Sequence, residues 1–271
     1  MGAETDIVLA PTASKIPANA RGAVLVCGSH GGVYAGYLAI RAGVRAVILN
    51  DAGVGLERAG IGALDHCQAL GMAAATVAHT SARIGDAEDM LAHGRISHCN
   101  AVAAGLGVGA GMGCAEAAAR LRAAPSMAAP GAAYAEARAV LGRNRHGLQI
   151  VCVDSISLVS DEDVGQIVLS GSHGGVVSGQ PGLAIRVAAA GAFYNDAGIG
   201  KDEAGVSRLA VLDERRIAAA TVAAASARIG NGRSTYETGV VSRVNRTAAA
   251  LGIVAGMPAR DAVERIVPAA D

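Results

Sequence analysis

The sequence predicts an α/β protein built by tandem duplication of one βαβ-type unit, giving two similar lobes with mostly parallel sheets and pseudo-twofold symmetry. Three observations predict it. The second half restates the first: IVLAPTASKI from Ile7 aligns with IVCVDSISLV from Ile150. Short apolar runs alternate with helical periodicity, the pattern of right-handed crossovers joining parallel strands. The same polar motifs also follow corresponding runs, GSHGG at Gly28–Gly32 and again at Gly171–Gly175.

Taken in order, the apolar runs 7–10, 22–27, 45–49 and 73–78 read as strands, since strands covered on both faces lose the polar alternation. Helical patterns lie near 33–42, 57–70 and 96–105. The second lobe repeats the strands near 150–153, 166–170, 190–194 and 218–223, with a two-residue insertion near Gln180-Pro181. Past it, LAIRAGVRAVILNDAGVG matches LAIRVAAAGAFYNDAGIG, and AAATVAHTSARIG matches AAATVAAASARIG. The expected organisation is an N-terminal lobe over 1–120, a linker over 121–148 with a helix across 132–141, and a C-terminal lobe over 149–271.

Composition narrows the function. The 271 residues include no Trp and one Phe, so a sizeable core is built from Ala, Val, Leu and Ile. Zero formal charge without a basic run leaves no nucleic-acid footprint, and so few aromatic rings offer no stacking platform for single strands. Only Lys15 and Lys201 are lysine, which with abundant Ala, Gly and Arg suits a GC-rich bacterial coding bias. Cys27, Cys67, Cys99, Cys114 and Cys152 show no C-x-x-C spacing and suggest reduced thiols in a cytoplasm. The first residues lack a secretory pattern, and no apolar window is long enough to span a bilayer. No cofactor or metal is expected: phosphate-loop and dinucleotide fingerprints are missing, and His93 and His98 are five apart.

Ligands of open parallel sheets bind at the carboxyl ends of strands. There the two halves both keep Ser29/Ser172, His30/His173, Asn50/Asn195, Asp51/Asp196, Ser81/Ser226 and Arg83/Arg228, as well as Ser97/Ser242 and Asn100/Asn245. Gly31, Gly32, Gly174 and Gly175 would let backbone N–H groups at a helix start approach an anion. His30 or His173 is the expected general acid/base, oriented by Asp51 or Asp196. Ser29 or Ser172 would be an oxyanion donor or a nucleophile. Asn50, Asn195, Ser81, Ser226, Arg83, Arg228 and Lys201 are the expected substrate-binding residues, with arginine suited to a carboxylate. The S-x-x-N pairs at Ser97–Asn100 and Ser242–Asn245 are read on a helix face.

A histidine-glycine at one strand end and DA plus a small residue at the next resemble the layout of caspase-like peptidases. Gly53 or Gly198 stands where those enzymes carry the nucleophilic cysteine, so no family is assigned. The leading expectation is a hydrolase of an amide or related C–N bond in a small carboxylate-bearing molecule, its site between the lobes. One alternative is a cofactor-independent racemase or isomerase with one histidine per lobe; another is a non-catalytic two-lobed binder of anions. Further copies of the chain are an allowed partner. Asymmetry at His79/Ala224, Leu56/Lys201 and His98/Arg243 also allows only one lobe to keep a working site.

Overall fold

A computed structural model of the protein describes residues 6–126, 133–177 and 180–268. It contains two compact units. Unit 1 comprises Met1–Val54, Arg58–Ala135 and Gly200–Asp202; unit 2 comprises Gly55–Glu57, Glu136–Ile199 and Glu203–Asp271.

In unit 1 the strands are β1 (Ile7–Ala10), β2 (Val24–His30), β3 (Ala46–Asn50), β4 (Ala73–Val77) and β5 (Ile96–Cys99). They lie side by side in sequence order, parallel from β1 to β4, with β5 antiparallel. Successive residues face opposite sides of the sheet, and both sides are covered. Leu25, Val47 and Leu49 pack with Ala39, Ile40 and Leu64 of helices α1 (Val33–Ala42) and α2 (Ala63–Ala69). Val26, Ile48 and Ala75 pack with Met90, Ala103 and Leu121 of α3 (Ala87–His93), α4 (Ala101–Gly105) and α5 (Cys114–Leu121). Burial on both faces is why these strands read as unbroken apolar runs.

Unit 2 holds β6 (Arg138–Arg143), β7 (Gln149–Val153), β8 (Ile167–His173), β9 (Gly191–Asn195), β10 (Ala218–Val222) and β11 (Val241–Val244). Strands β7 to β10 are parallel; β6 and β11 pair antiparallel at the two edges. Helices α7 (Gly232–Glu237), α8 (Arg246–Ala250) and α9 (Ala259–Val263) lie with one apolar cluster, and α6 (Arg208–Glu214) with the other. Both sheets are therefore mixed, in an α/β architecture with two sheet units.

Four expectations need correction. The linker helix across 132–141 is not formed: residue 132 lies outside the described residues, and Arg138–Arg143 is strand β6, paired with β7. The helix expected over 96–105 begins instead with strand β5, and Asn100 caps α4, accepting the Ala103 N–H at 3.0 Å. The 57–70 helix divides into a tight turn at Leu56–Ile61 and α2. The second GSHGG does not open a helix, since among the described residues of 176–190 only a single 3-10 turn forms, at Pro181–Leu183. Arginines replace the missing helix. Buried Arg208 donates to the carbonyls of Gly175 (2.8 Å) and Ala184 (3.0 Å), and Arg215 to those of Ile185 and Val187. An irregular segment must find partners for its backbone groups outside itself, and guanidinium forks supply them. At the position of Arg208 the first half has Ala63, whose Cβ packs against Gly36 of α1.

Candidate active site

The carboxyl ends of β2, β3 and β4 carry the motifs singled out in the sequence. The first three residues of each GSHGG belong to a strand rather than a loop, and the pairing shifts register there: His30 faces Asn50 in unit 1, and His173 faces Asn195 in unit 2. Gly31 is needed for packing. A Cβ there would sit 2.5 Å from the Gly60 carbonyl oxygen and 2.9 Å from Thr76 Cγ2. Gly174 is crowded in the same way by Gly205 and Thr221. A Cβ on Gly32 would lie 2.7 Å from the His30 ring.

The two motif histidines share one arrangement. The Gly32 N–H donates to His30 Nδ1 at 3.1 Å, and the Gly175 N–H to His173 Nδ1 at 3.1 Å. An N–H aimed at Nδ1 requires a lone pair there, so the neutral ring of His30 carries its proton on Nε2. Burial pushes the His30 pKa down to about 4, which keeps the ring neutral at pH 7.

Asp51 does not orient His30. Its Oδ1 accepts from the Gly53 N–H at 3.0 Å, the His79 N–H at 2.9 Å and His79 Nδ1 at 2.9 Å. The physical reason is position: the Asp51 N–H is bonded to the Val77 carbonyl at the end of β4, which sets the carboxylate beside the residues following that strand. Burial is the largest influence on this carboxyl and pushes it up, but the His79 ring and amide, the Gly53 amide and Ser97 together hold it below the usual carboxylate range. Asp51 is therefore an anion, and an anion at Nδ1 fixes the His79 proton there and leaves the Nε2 lone pair to accept. The His79 side chain is 26% exposed, so solvent or a small molecule can reach it.

In unit 2 Asp196 Oδ1 accepts the N–H groups of Gly198 and Ala224, both at 2.9 Å. The main-chain pattern is that of unit 1, but position 224 is alanine and offers no imidazole. Each aspartate also begins a run of left-handed backbone, Ala52–Gly55 at φ 48 to 74° and Ala197–Gly200 at φ 50 to 74°. Such a run is costly for the non-glycine members, and the carboxylate-to-amide bonds help offset it.

The remaining retained residues are engaged with the chain itself. Asn50 and Asn195 accept from the amides of Ala52 and Ala197 and donate to the carbonyls of Ala82 and Ala227. Ser81 and Ser226 accept the N–H groups of Arg95 and Val240 at 2.9 Å and donate to the carbonyls of Ala78 and Ala223. Ser29 accepts the Ala13 N–H, and Ser172 that of Ile156. Ser97 and Ser242 sit on β5 and β11 rather than on helices, bonded to Thr76 and Thr221. The cations expected to bind substrate face carboxylates: Arg83 meets Asp86, Asp89 and Asp202, Arg228 meets Glu57, and Lys201 Nζ lies 2.8 Å from Asp89 Oδ1. Cys27 is fully buried and its thiol is pushed up to about 11, chiefly by burial.

The sequence marked His79 only as an asymmetry between the halves, without a role, and Asp89 was not singled out. That difference was itself the available signal, because Ala224 and Ser234 stand at the corresponding places. Among the described residues, no group of three or more His, Cys, Asp and Glu side chains is placed to hold a metal ion, and no helix is long and apolar enough to cross a membrane. Comparison of the chain with protein-family models, curated proteins and solved structures found no match.

Proposed function

We propose that the chain is an enzyme that hydrolyses an amide or related C–N bond in a small molecule, with His79 as its general base. The observation that carries the reading is the 2.9 Å contact from His79 Nδ1 to the buried, anionic Asp51. In this reading Nε2 of His79 takes a proton from water as the water oxygen attacks the carbonyl carbon, and returns it to the departing nitrogen. One water and one amide give one acid and one amine. His30, neutral with its proton on Nε2, is the donor for the oxygen on which charge develops. Strands β2 and β4 are separated only by β3, so the strands themselves run about 10 Å apart. With His30 ending β2 and His79 two residues beyond β4, this spacing supports a small molecule reaching both.

With Arg83, Arg228 and Lys201 committed to carboxylates, the substrate is held by neutral donors and is itself uncharged at the reacting end. The two halves are read as copies of one ancestral unit. Unit 1 keeps the imidazole–carboxylate pair, and His173 serves the architecture of unit 2.

The test is a panel of small amides, ureides and cyclic imides, followed by ammonia or acid release. His79→Ala and Asp51→Asn should each lower turnover about 10²- to 10⁴-fold, while His173→Ala leaves it nearly unchanged. Full activity in His79→Ala would defeat the reading. Replacing His30, the oxyanion donor, should also lower turnover; an equal loss on replacing His173 would favour the two-base isomerase instead.

A further inference from the structure

We propose that Lys201 and Asp89 are positioning residues that hold the His79 imidazole on Asp51. This rests on the reading of His79 as the acid–base group. The main chain of His79 is held on both sides: its N–H donates to Asp51 Oδ1, and its carbonyl accepts the Lys201 N–H at 2.8 Å. Contact this close requires Gly200. Its φ is +71°, and a Cβ there would lie 2.9 Å from the His79 carbonyl oxygen. Lys201 is in turn tied down by its side chain, whose Nζ lies 2.8 Å from Asp89 Oδ1.

Asp89 is a built anchor. Its side chain is 1% exposed, and its other oxygen accepts the Arg83 N–H at 2.7 Å. The Arg83 guanidinium reaches Oδ1 at 2.9 Å, and the Asp89 N–H donates to Asp86 at the start of α3. Burial pushes the Asp89 carboxyl up, but the bonds from Lys201 and Arg83 outweigh it and keep it anionic. A carboxylate this well held gives Lys201 a fixed point, and Lys201 gives His79 one.

The chain contains its own control. In unit 2 the same main-chain contact exists, the Leu56 N–H donating to the Ala224 carbonyl at 2.8 Å beside Gly55. There the lysine position is Leu56, the Asp89 position is Ser234, and the histidine position is Ala224. All three replacements fall in unit 2. The lysine–aspartate latch is present where there is an imidazole to aim and missing where there is none.

The experiment uses the full chain labelled with ¹⁵N-histidine and follows the His79 Nδ1–H resonance, assigned by its loss in His79→Gln. Lys201→Leu should speed exchange of this proton with solvent about tenfold or more, and Lys201→Arg should restore slow exchange. The double variant Lys201→Leu/Asp89→Ser carries the residues already used in unit 2, so it should melt close to the parent while showing the same fast exchange. Unchanged exchange in Lys201→Leu overturns the positioning role, even where His79→Ala still abolishes turnover. Fast exchange in Lys201→Leu alongside an active His79→Ala upholds the latch and overturns the catalytic reading instead.

Discussion

Asp51 and Asp196 follow the third parallel strand of their respective units, each bonded to the N–H two residues ahead and to an amide beyond the next strand. One of them also holds an imidazole and the other does not. The pair teaches that what the halves share and what they do not share are different kinds of information. The shared polar residues satisfy backbone groups at the strand ends, as any copy of this architecture must. The unshared ones are linked in unit 1: the His79 ring meets Asp51, the Lys201 N–H donates to the His79 carbonyl, and Lys201 Nζ meets Asp89.

The comparison can be broken most forcefully at Arg208, which has only Ala63 as its counterpart. Replacing it with Met removes two charged hydrogen bonds to buried carbonyls and should cost about 3–6 kcal/mol. Urea unfolding measures this, and hydrogen exchange should locate the loosening around β8 and α6. A loss below about 1 kcal/mol would show that the irregular segment needs no such support.

A second effect is tied to pH. His30 is depressed to about 4 in the folded protein from an ordinary value of 6.5, so the unfolded chain binds the extra proton first. Stability is therefore undiminished above pH 6.5 and falls as the pH drops towards 4, by about 3 kcal/mol across that window. Urea midpoints measured from pH 7.5 to 4 should follow this slope, and His30→Gln should flatten it.

The smallest effect sharpens the comparison. Ser81→Ala and Ser226→Ala each remove an accepted N–H and a donated bond in the same geometry, and should each cost about 1 kcal/mol. Equal losses, with turnover unchanged in both, would mark these serines as scaffold. A turnover defect confined to Ser81→Ala would instead draw it into the chemistry of unit 1.

The parallel strands were legible because burial on both faces leaves runs such as Ala46–Asn50 with no polar interruption until the last residue. Strand β5 was not, since Ile96-Ser97-His98-Cys99 is short, half polar and runs straight into a cap. The helix expected across 132–141 overlaps β6, where pairing with β7 overrides local helix propensity. At the site, the motif histidines and aspartates were found at strand ends, but their partners were not. Local spacing cannot reveal that Asp51 faces a residue 28 positions onward, or that Lys201 meets Asp89 from 112 positions away. Retention in both copies suggested chemistry, when in this chain it largely tracks hydrogen bonding to the backbone.

The membership of unit 1 has a consequence for gene architecture. Because Gly200–Asp202 belongs to it, a gene split after Ala135 would encode a first fragment with the His79 carbonyl and Asp89 stripped of their lysine partner. The first half of the sequence is therefore not a separable cassette. Fission, domain shuffling or loss of the second copy would each erase the latch on the imidazole while leaving the imidazole itself encoded.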